Sequence, residues 1–344
     1  MRFIKTIIYQ LVLFALINSK IMAQSNEIYK KEYFIKSTDN VQLQIKEIYD
    51  QNNLNSAILP LLMVHGGGPD AITSFDLDTE FPSFAEELAS KGLHIFLLNI
   101  RGWGKSSLPE YNLSDKNLII GNVDEASDDI QSALNWITYN FKIPKVNLFG
   151  WATGGHWISY TAIKNPKNIN SIISLNSLYG INGDWSLHKF YALPDDNLKY
   201  NKSSFFRESP KETLTTSWTN TIPVEDKADW RSPVVEKAYK DQACTYGSDK
   251  NIFKVPAGFQ EESFYMALGK KYWDAKDLTV PAMIIRSEYD FWSRSIDLNA
   301  FKNDFPKYIH SRFETINGTH YLFLDKDDKG KTELIDLILR FIQE

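Results

Sequence analysis

The chain has a single cysteine, Cys244, in 344 residues, so an intramolecular disulfide is excluded. Cysteine usage therefore says nothing about the compartment. Cys244 sits in DQACTYG without a paired histidine signature and reads as a structural thiol. The six histidines are scattered, and no CxxC or HExxH spacing occurs, so no metal site is expected. No cofactor motif is present either. The turn in LFGWATGG does not fit G-x-G-x-x-G and comes too late for a first βα unit, which argues against dinucleotide binding. The net charge is -5 and the basic residues form no stripe or tail, so nucleic acid is not an expected partner. There is no internal repeat or low-complexity segment, and beyond the first 23 residues no apolar run is long enough to span a membrane.

What is present is an ordinary globular balance, 43% hydrophobic and 24% charged, enough for one large core or a core with a smaller module. The N-terminus stands apart. MRFIK supplies two positive charges, IIYQLVLFALI is a short apolar run, and NSKIMA ends on a small residue. That layout predicts a secretory signal peptide over residues 1–23, cleavage after Ala23 and a secreted or periplasmic protein with no stable membrane span afterwards. A retained anchor is the alternative.

Along the rest of the chain, YKKEYFIKS and VQLQIKEIY alternate apolar and polar residues and predict two antiparallel strands joined at TDN. AILPLLMV, LHIFLLNI, KVNLFG and INSIISLNSL are apolar runs suited to strands buried on both faces. FPSFAEELASKG, VDEASDDIQSALNWITYNF and GGHWISYTAIKN read as the helices between them, the second with acids in its first turn. The alternation predicts an α/β fold with a mostly parallel, doubly wound sheet. It breaks after residue 181. Residues 182–275 are rich in aromatics and carry prolines at 194, 210, 223, 233 and 256, which predicts an inserted, mainly helical cap. Aromatic side chains there serve either as core packing or as the lid of an apolar pocket. The pattern resumes with VPAMIIRSEYD, SIDLNAFKNDF, YIHSRFETING and KTELIDLILRFIQE, so the core is expected over 24–181 and 276–344.

Catalytic groups in such sheets gather at the carboxyl ends of the strands. Here those ends carry MVHGGGPD, NIRGWGKSS, FGWATGG, IRSEYDFW and INGTHYLF. The set resembles the α/β-hydrolase superfamily over roughly residues 28–344, with the cap as the loosest part. The nucleophile elbow G-x-S-x-G of that superfamily corresponds to Gly150-Trp151-Ala152-Thr153-Gly154. The family's chain order of nucleophile, acid and histidine corresponds to Ala152, Asp290 and His320. HGGGPDA is similar to the oxyanion loop of carbon–carbon bond hydrolases and prolyl iminopeptidase-like enzymes. By that resemblance the backbone amides of Gly67 and Thr153 form the oxyanion hole, within the loop His65 to Gly68. Gly66, Trp151, Phe291 and Trp292 flank the expected site as pocket candidates, with core support as the alternative for the aromatic ones.

Some positions depart from the family pattern or compete with it. Glu288 competes with Asp290 as the acid, and Asp290 fits the family position better. Asn99 stands where the family often has an acid before the Arg-Gly pair, read as a structural change in the loop. His156, one helical turn beyond the elbow, reads as a packing or cap residue. Ala152 is the departure with chemical weight, because a methyl group cannot attack a carbonyl. Thr153 is not a simple substitute, since its amide rather than its hydroxyl should face the substrate.

Three functions follow from the resemblance. The first is a hydrolase of esters or amides in small, partly apolar molecules or short peptides, with its serine replaced by Ala152 through engineering or natural loss. The second is an enzyme without a covalent step, of hydrolase, lyase or isomerase type, in which Asp290 orients His320 as general base. The third is a pseudohydrolase that holds a ligand under its aromatic cap. Substrate identity and oligomeric state are not legible in the sequence.

Overall fold

The computed structural model describes residues 27–344. The expected signal peptide over 1–23 and its cleavage after Ala23 lie outside the described residues. Among the described residues, no helix is long and apolar enough to cross a membrane.

The chain opens with β1 (Ile28–Lys36) and β2 (Gln42–Asp50), an antiparallel pair in which Ile28 faces Asp50 and Lys36 faces Gln42. The turn between them places Asn40 at φ 69°, a left-handed position that asparagine tolerates. Then come β3 (Leu61–Val64), α1 (Ala71–Phe75), α2 (Phe84–Ser90) and β4 (Ile95–Asn99). The long helix α3 (Val123–Phe141), β5 (Val146–Trp151), α4 (Thr153–Lys164) and β6 (Ile169–Leu175) complete the first part of the core. After an inserted segment the core resumes with β11 (Ala282–Tyr289), α9 (Ser295–Asp304), β12 (Ser311–Thr319) and the terminal α10 (Lys331–Gln343).

The strands form one eight-stranded sheet in the order β1-β2-β4-β3-β5-β6-β11-β12. All neighbours from β4 to β12 run parallel, and β1 and β2 are antiparallel additions at one edge. Helices cover both faces, so every residue of β3, β4 and β5 is buried. That is why these strands read as continuous apolar runs rather than alternating ones. Each fully buried Leu, Ile or Phe contributes roughly 1.5–3 kcal/mol relative to exposure.

The helix starts are written locally. Ser83 accepts from the Glu86 amide at 3.2 Å while Glu86 accepts from the Ser83 amide at 2.7 Å, a reciprocal cap that starts α2. Asn122 and Glu125 do the same for α3. That helix buries Val123, Ala126, Ile130, Ala133, Leu134 and Ile137 at helical spacing.

The segment inserted between β6 and β11 has more helix than strand, in line with the expected mainly helical cap, and its short strands are an addition to that expectation. Its helices are α5 (His188–Tyr191), α6 (Thr216–Thr221), α7 (Pro233–Ala243) and α8 (Gly258–Ala267). It also contains two small antiparallel sheets, β7 (Ala192–Leu193) with β8 (Asp196–Tyr200), and β9 (Phe206–Pro210) with β10 (Ile252–Pro256). The strands are short and mostly half-exposed, so no buried apolar run marks them in the sequence.

Candidate active site

The turn from β5 into α4 is the sharpest feature of the core. Ala152 adopts φ 52°, ψ -118°, a conformation rarely populated by residues with a Cβ. Its amide donates to the Leu175 carbonyl at 2.7 Å, which anchors the turn on β6. The flanking glycines are steric requirements. A Cβ on Gly154 would lie 2.5 Å from the carbonyl oxygens of both Val64 and His65, and one on Gly150 would strike the Gly154 carbonyl. The elbow therefore presses directly against the end of β3 and lifts the Ala152 side chain above the strand ends.

The loop after β3 runs beside this turn. His65 is fully buried and fixes the loop through both ring nitrogens: Nε2 accepts from the Ile100 amide at 3.1 Å, so the proton is on Nδ1, which donates to the Gly66 carbonyl at 2.7 Å. Burial pushes the His65 pKa down to about 4, which keeps the ring neutral in this role. A Cβ on Gly66 would lie 3.0 Å from the Ala152 Cβ and 3.5 Å from the Thr153 nitrogen, so the loop and the elbow pack with no room for a side chain. Among the described residues, neither the Gly67 amide nor the Thr153 amide donates to a backbone or side-chain acceptor.

At the far side of the turn, His320 follows the end of β12 and Asp290 follows the end of β11. His320 Nδ1 donates to Asp290 Oδ1 at 2.6 Å. The Asp290 side chain is fully buried and its other bonds are local: the Trp292 amide donates to Oδ1 at 3.0 Å, the Ser293 amide to Oδ2 at 2.8 Å, and the Ser293 hydroxyl also donates to Oδ2. These donors aim the carboxylate at the imidazole. With Nδ1 committed to Asp290, Nε2 is the basic nitrogen of the neutral ring, and no protein group bonds it among the described residues.

Ala152, Thr153, Gly67, Trp151, Phe291, Trp292 and His320 all line one cavity of about 120 Å³. Of the sequence candidates, Gly66 does not reach its wall and instead packs under the elbow. Asp290 lies behind His320. Phe291 stacks obliquely on the His320 ring, with centroids 4.5 Å apart, and the aromatic lid of the cavity includes Phe259 of α8.

A family model described as alpha/beta hydrolase fold matches residues 60–327. The chain belongs to the α/β hydrolase fold family. Solved structures agree on the fold. The enol-lactonase from Burkholderia xenovorans LB400 superposes with a TM-score of 0.59 at 14% identity, covering 91% of this chain and 100% of its own. A thioesterase domain from the curacin biosynthetic pathway gives 0.58 at 15%, with 90% and 99% covered. An esterase from Thermogutta terrifontis gives 0.58 at 15%, with 91% and 98% covered. No curated protein matches the chain.

Within this α/β hydrolase fold, the competing residues separate cleanly. Glu288 is exposed on β11, and the carboxylate bonded to His320 is that of Asp290. His156 is buried and accepts from the Trp273 indole at 2.8 Å, which makes it a packing residue. Asn99 is buried: its Oδ1 accepts from the Ala71 amide at 2.8 Å and its Nδ2 donates to Gln44 at 2.8 Å, so it ties the end of β4 to the start of α1. Cys244 is buried at the end of α7, and burial pushes its thiol pKa up. Thr153 Oγ1 is buried without a partner beside the elbow. Among the described residues, no group of three or more His, Cys, Asp or Glu is placed to hold a metal ion.

Several positioning residues were not legible in the sequence. Asp325 accepts from the Thr319 amide at 2.8 Å and from the Trp218 indole at 2.9 Å, closing the loop that presents His320. Asn176, at φ 56°, donates through Nδ2 to the His320 carbonyl at 3.1 Å and to Ser287 Oγ at 2.9 Å, and accepts from the Ser287 amide at 2.7 Å. Arg207, from the inserted segment, lines the cavity. The only local signals were an acid a few residues past GTH and an asparagine at a strand end, and both residue types are common in those settings.

Proposed function

We propose that this α/β hydrolase-fold protein is exported and carries a serine-hydrolase-type site for an ester or amide bond in a small, partly apolar molecule. Ala152 holds the nucleophile position. The observation that carries the reading is the Asp290–His320 hydrogen bond at 2.6 Å on the same cavity as the strained Ala152 and the unpartnered Gly67 and Thr153 amides. With a hydroxyl at position 152, His320 Nε2 would take its proton as the oxygen attacks the carbonyl carbon. The Gly67 and Thr153 amides would receive the charge that develops on the carbonyl oxygen, and His320 would return the proton to the leaving group. With a methyl at 152 the acyl-enzyme cannot form. Binding and carbonyl polarisation remain, and in serine hydrolases stripped of a triad member these supply about 10³–10⁴-fold over water.

The test is Ala152→Ser. The variant should react with a serine-directed phosphonate and hydrolyse 4-nitrophenyl esters, both abolished by a further His320→Ala. Failure of the phosphonate to label a folded Ala152→Ser variant sinks the reading. Export rests on the charged and apolar pattern of residues 1–23, and the N-terminal residue of the mature protein, expected at Gln24, checks it.

A second reading is supported by the intact orientation of His320. With Nδ1 held by Asp290 and Nε2 without a protein partner, the ring is arranged to act as general base on water or on an acidic substrate proton, worth about 10²–10⁴-fold. Turnover by the unaltered chain that survives His320→Ala excludes it.

A further inference from the structure

We propose that the cavity above Ala152 takes a ligand bearing a carboxylate, and that Arg207 is the group that binds it. The proposal rests on the reading of Ala152, Asp290 and His320 as the centre of the site and adds the chemical class of what enters it.

Arg207 lies on β9 of the inserted segment and lines the cavity together with Ala152 and His320. No Asp or Glu lines that cavity. Its walls combine aromatic rings, from Trp151, Phe259, Phe291 and Trp292, with the hydroxyl-bearing side chains of Tyr191, Thr213, Ser217 and Tyr321, and Arg207 is the one fixed positive charge on them. Of the other sequestered arginines, Arg286 on β11 is likewise without an ion pair among the described residues but lies outside this cavity, and three are neutralised. Arg101 is held by Asp129 and Asp39 at 2.6 Å each, Arg231 by Glu236, and Arg294 by Asp297 at 2.7 Å. Arg207 has no carboxylate within 4.0 Å among the described residues.

Its existing bonds are weak and leave most of its donors free. Nη1 donates to the Gly67 carbonyl at 3.3 Å, Nε donates to Ser209 Oγ at 3.3 Å, and the guanidinium lies 5.4 Å from the Phe253 ring centroid. A guanidinium has five N–H donors in a planar fork that matches a carboxylate. A half-buried cation without a counter-ion is costly, and a bound anion removes that cost while the aromatic walls take an apolar body. The Gly67 contact also places the guanidinium against the loop beside Ala152. The ligand that fits is therefore a small monocarboxylate with an apolar or aromatic body, and its ester or amide carbonyl a short spacer from the acid.

The test uses the unaltered full chain and needs no turnover. Binding of phenylacetate and of its neutral counterpart phenylacetamide is measured by isothermal titration calorimetry in the millimolar range. Phenylacetate is expected to bind, and Arg207→Gln is expected to weaken it about 10- to 100-fold while leaving phenylacetamide unchanged. Arg207→Lys keeps the charge without the fork, so the acid should bind it more weakly than wild type but more tightly than R207Q. The proposal is overturned if phenylacetate does not bind, if R207Q binds it as well as wild type does, or if R207Q loses the acid and the amide equally. The last result would make Arg207 only a clamp between the inserted segment and the core. Failure of Ala152→Ser to react with a phosphonate would remove the hydrolase reading but leave this binding result standing, so the two can be separated.

Discussion

The Trp151 indole donates to the His320 carbonyl at 3.0 Å, and their rings lie 5.0 Å apart. The residue before the strained turn thus holds the backbone of the histidine that serves it, across 169 positions of sequence. With the Asn176 and Asp290 bonds, it holds His320 through contacts that do not involve the side chain at position 152.

Trp151→Phe keeps an aromatic ring and removes the N–H, leaving the His320 carbonyl to Asn176 alone. A loss of about 1 kcal/mol in urea unfolding is expected. In an Ala152→Ser background kcat should fall more than KM rises, because the histidine is displaced rather than the pocket. Unchanged kcat in that background would show that the bond does not position His320.

Ala152→Gly should stabilise the protein. The φ 52°, ψ -118° conformation costs a residue with a Cβ about 1–3 kcal/mol. The extra freedom of glycine in the unfolded chain offsets about 0.4–1 kcal/mol of that. A net gain of about 1 kcal/mol is expected by denaturant titration. A glycine variant less stable than wild type would mean the turn stores no strain.

His65 links stability to pH. Its pKa is pushed down to about 4 in the native state, against about 6.5 unfolded. Between those values the unfolded chain binds a proton that the native chain refuses. The His65 contribution is therefore complete above pH 6.5 and is lost as pH falls toward 4, by up to about 3 kcal/mol. His65→Gln does not titrate, so the stability gap between wild type and this variant should narrow from pH 7 to pH 4. A constant gap contradicts the assignment.

Asp325 acts in the opposite direction. Burial raises its pKa to about 6 despite the Thr319 and Trp218 donors, against about 3.9 unfolded. The native chain keeps a proton there that the unfolded chain releases, so its contribution is greatest below about pH 4 and is lost as pH rises through 6. Relative to Asp325→Asn, wild type should lose up to about 3 kcal/mol between pH 4 and pH 6 in matched denaturant titrations. Because the His65 and Asp325 slopes oppose each other in that window, the wild-type curve alone hides both. A difference that does not vary with pH would place the Asp325 pKa near its unfolded value.

The core was legible because its causes are local. Strands buried on both faces appear as apolar runs, and reciprocal caps such as Ser83 with Glu86 appear as residue types three positions apart. The inserted segment was less legible. The β7–β8 and β9–β10 pairs carry neither a buried run nor clean alternation, because their faces are mostly half-exposed. Gly66 was expected on the pocket wall and packs beneath the elbow instead, since its missing Cβ is what lets the loop touch Ala152.

By itself, the sequence determined the parallel sheet, the glycine-bounded turn and the chemical fact that position 152 has no oxygen to offer. Residue identity and short-range backbone sterics settle those matters. Only the tertiary structure decided which carboxylate meets His320, which residues hold the histidine loop, and that an unpaired arginine from the inserted segment reaches the cavity. Arg207 meets Gly67 across 140 positions, and Asp290 meets His320 across 30. Such partners are chosen by the packing of distant elements, which no spacing within a short window encodes.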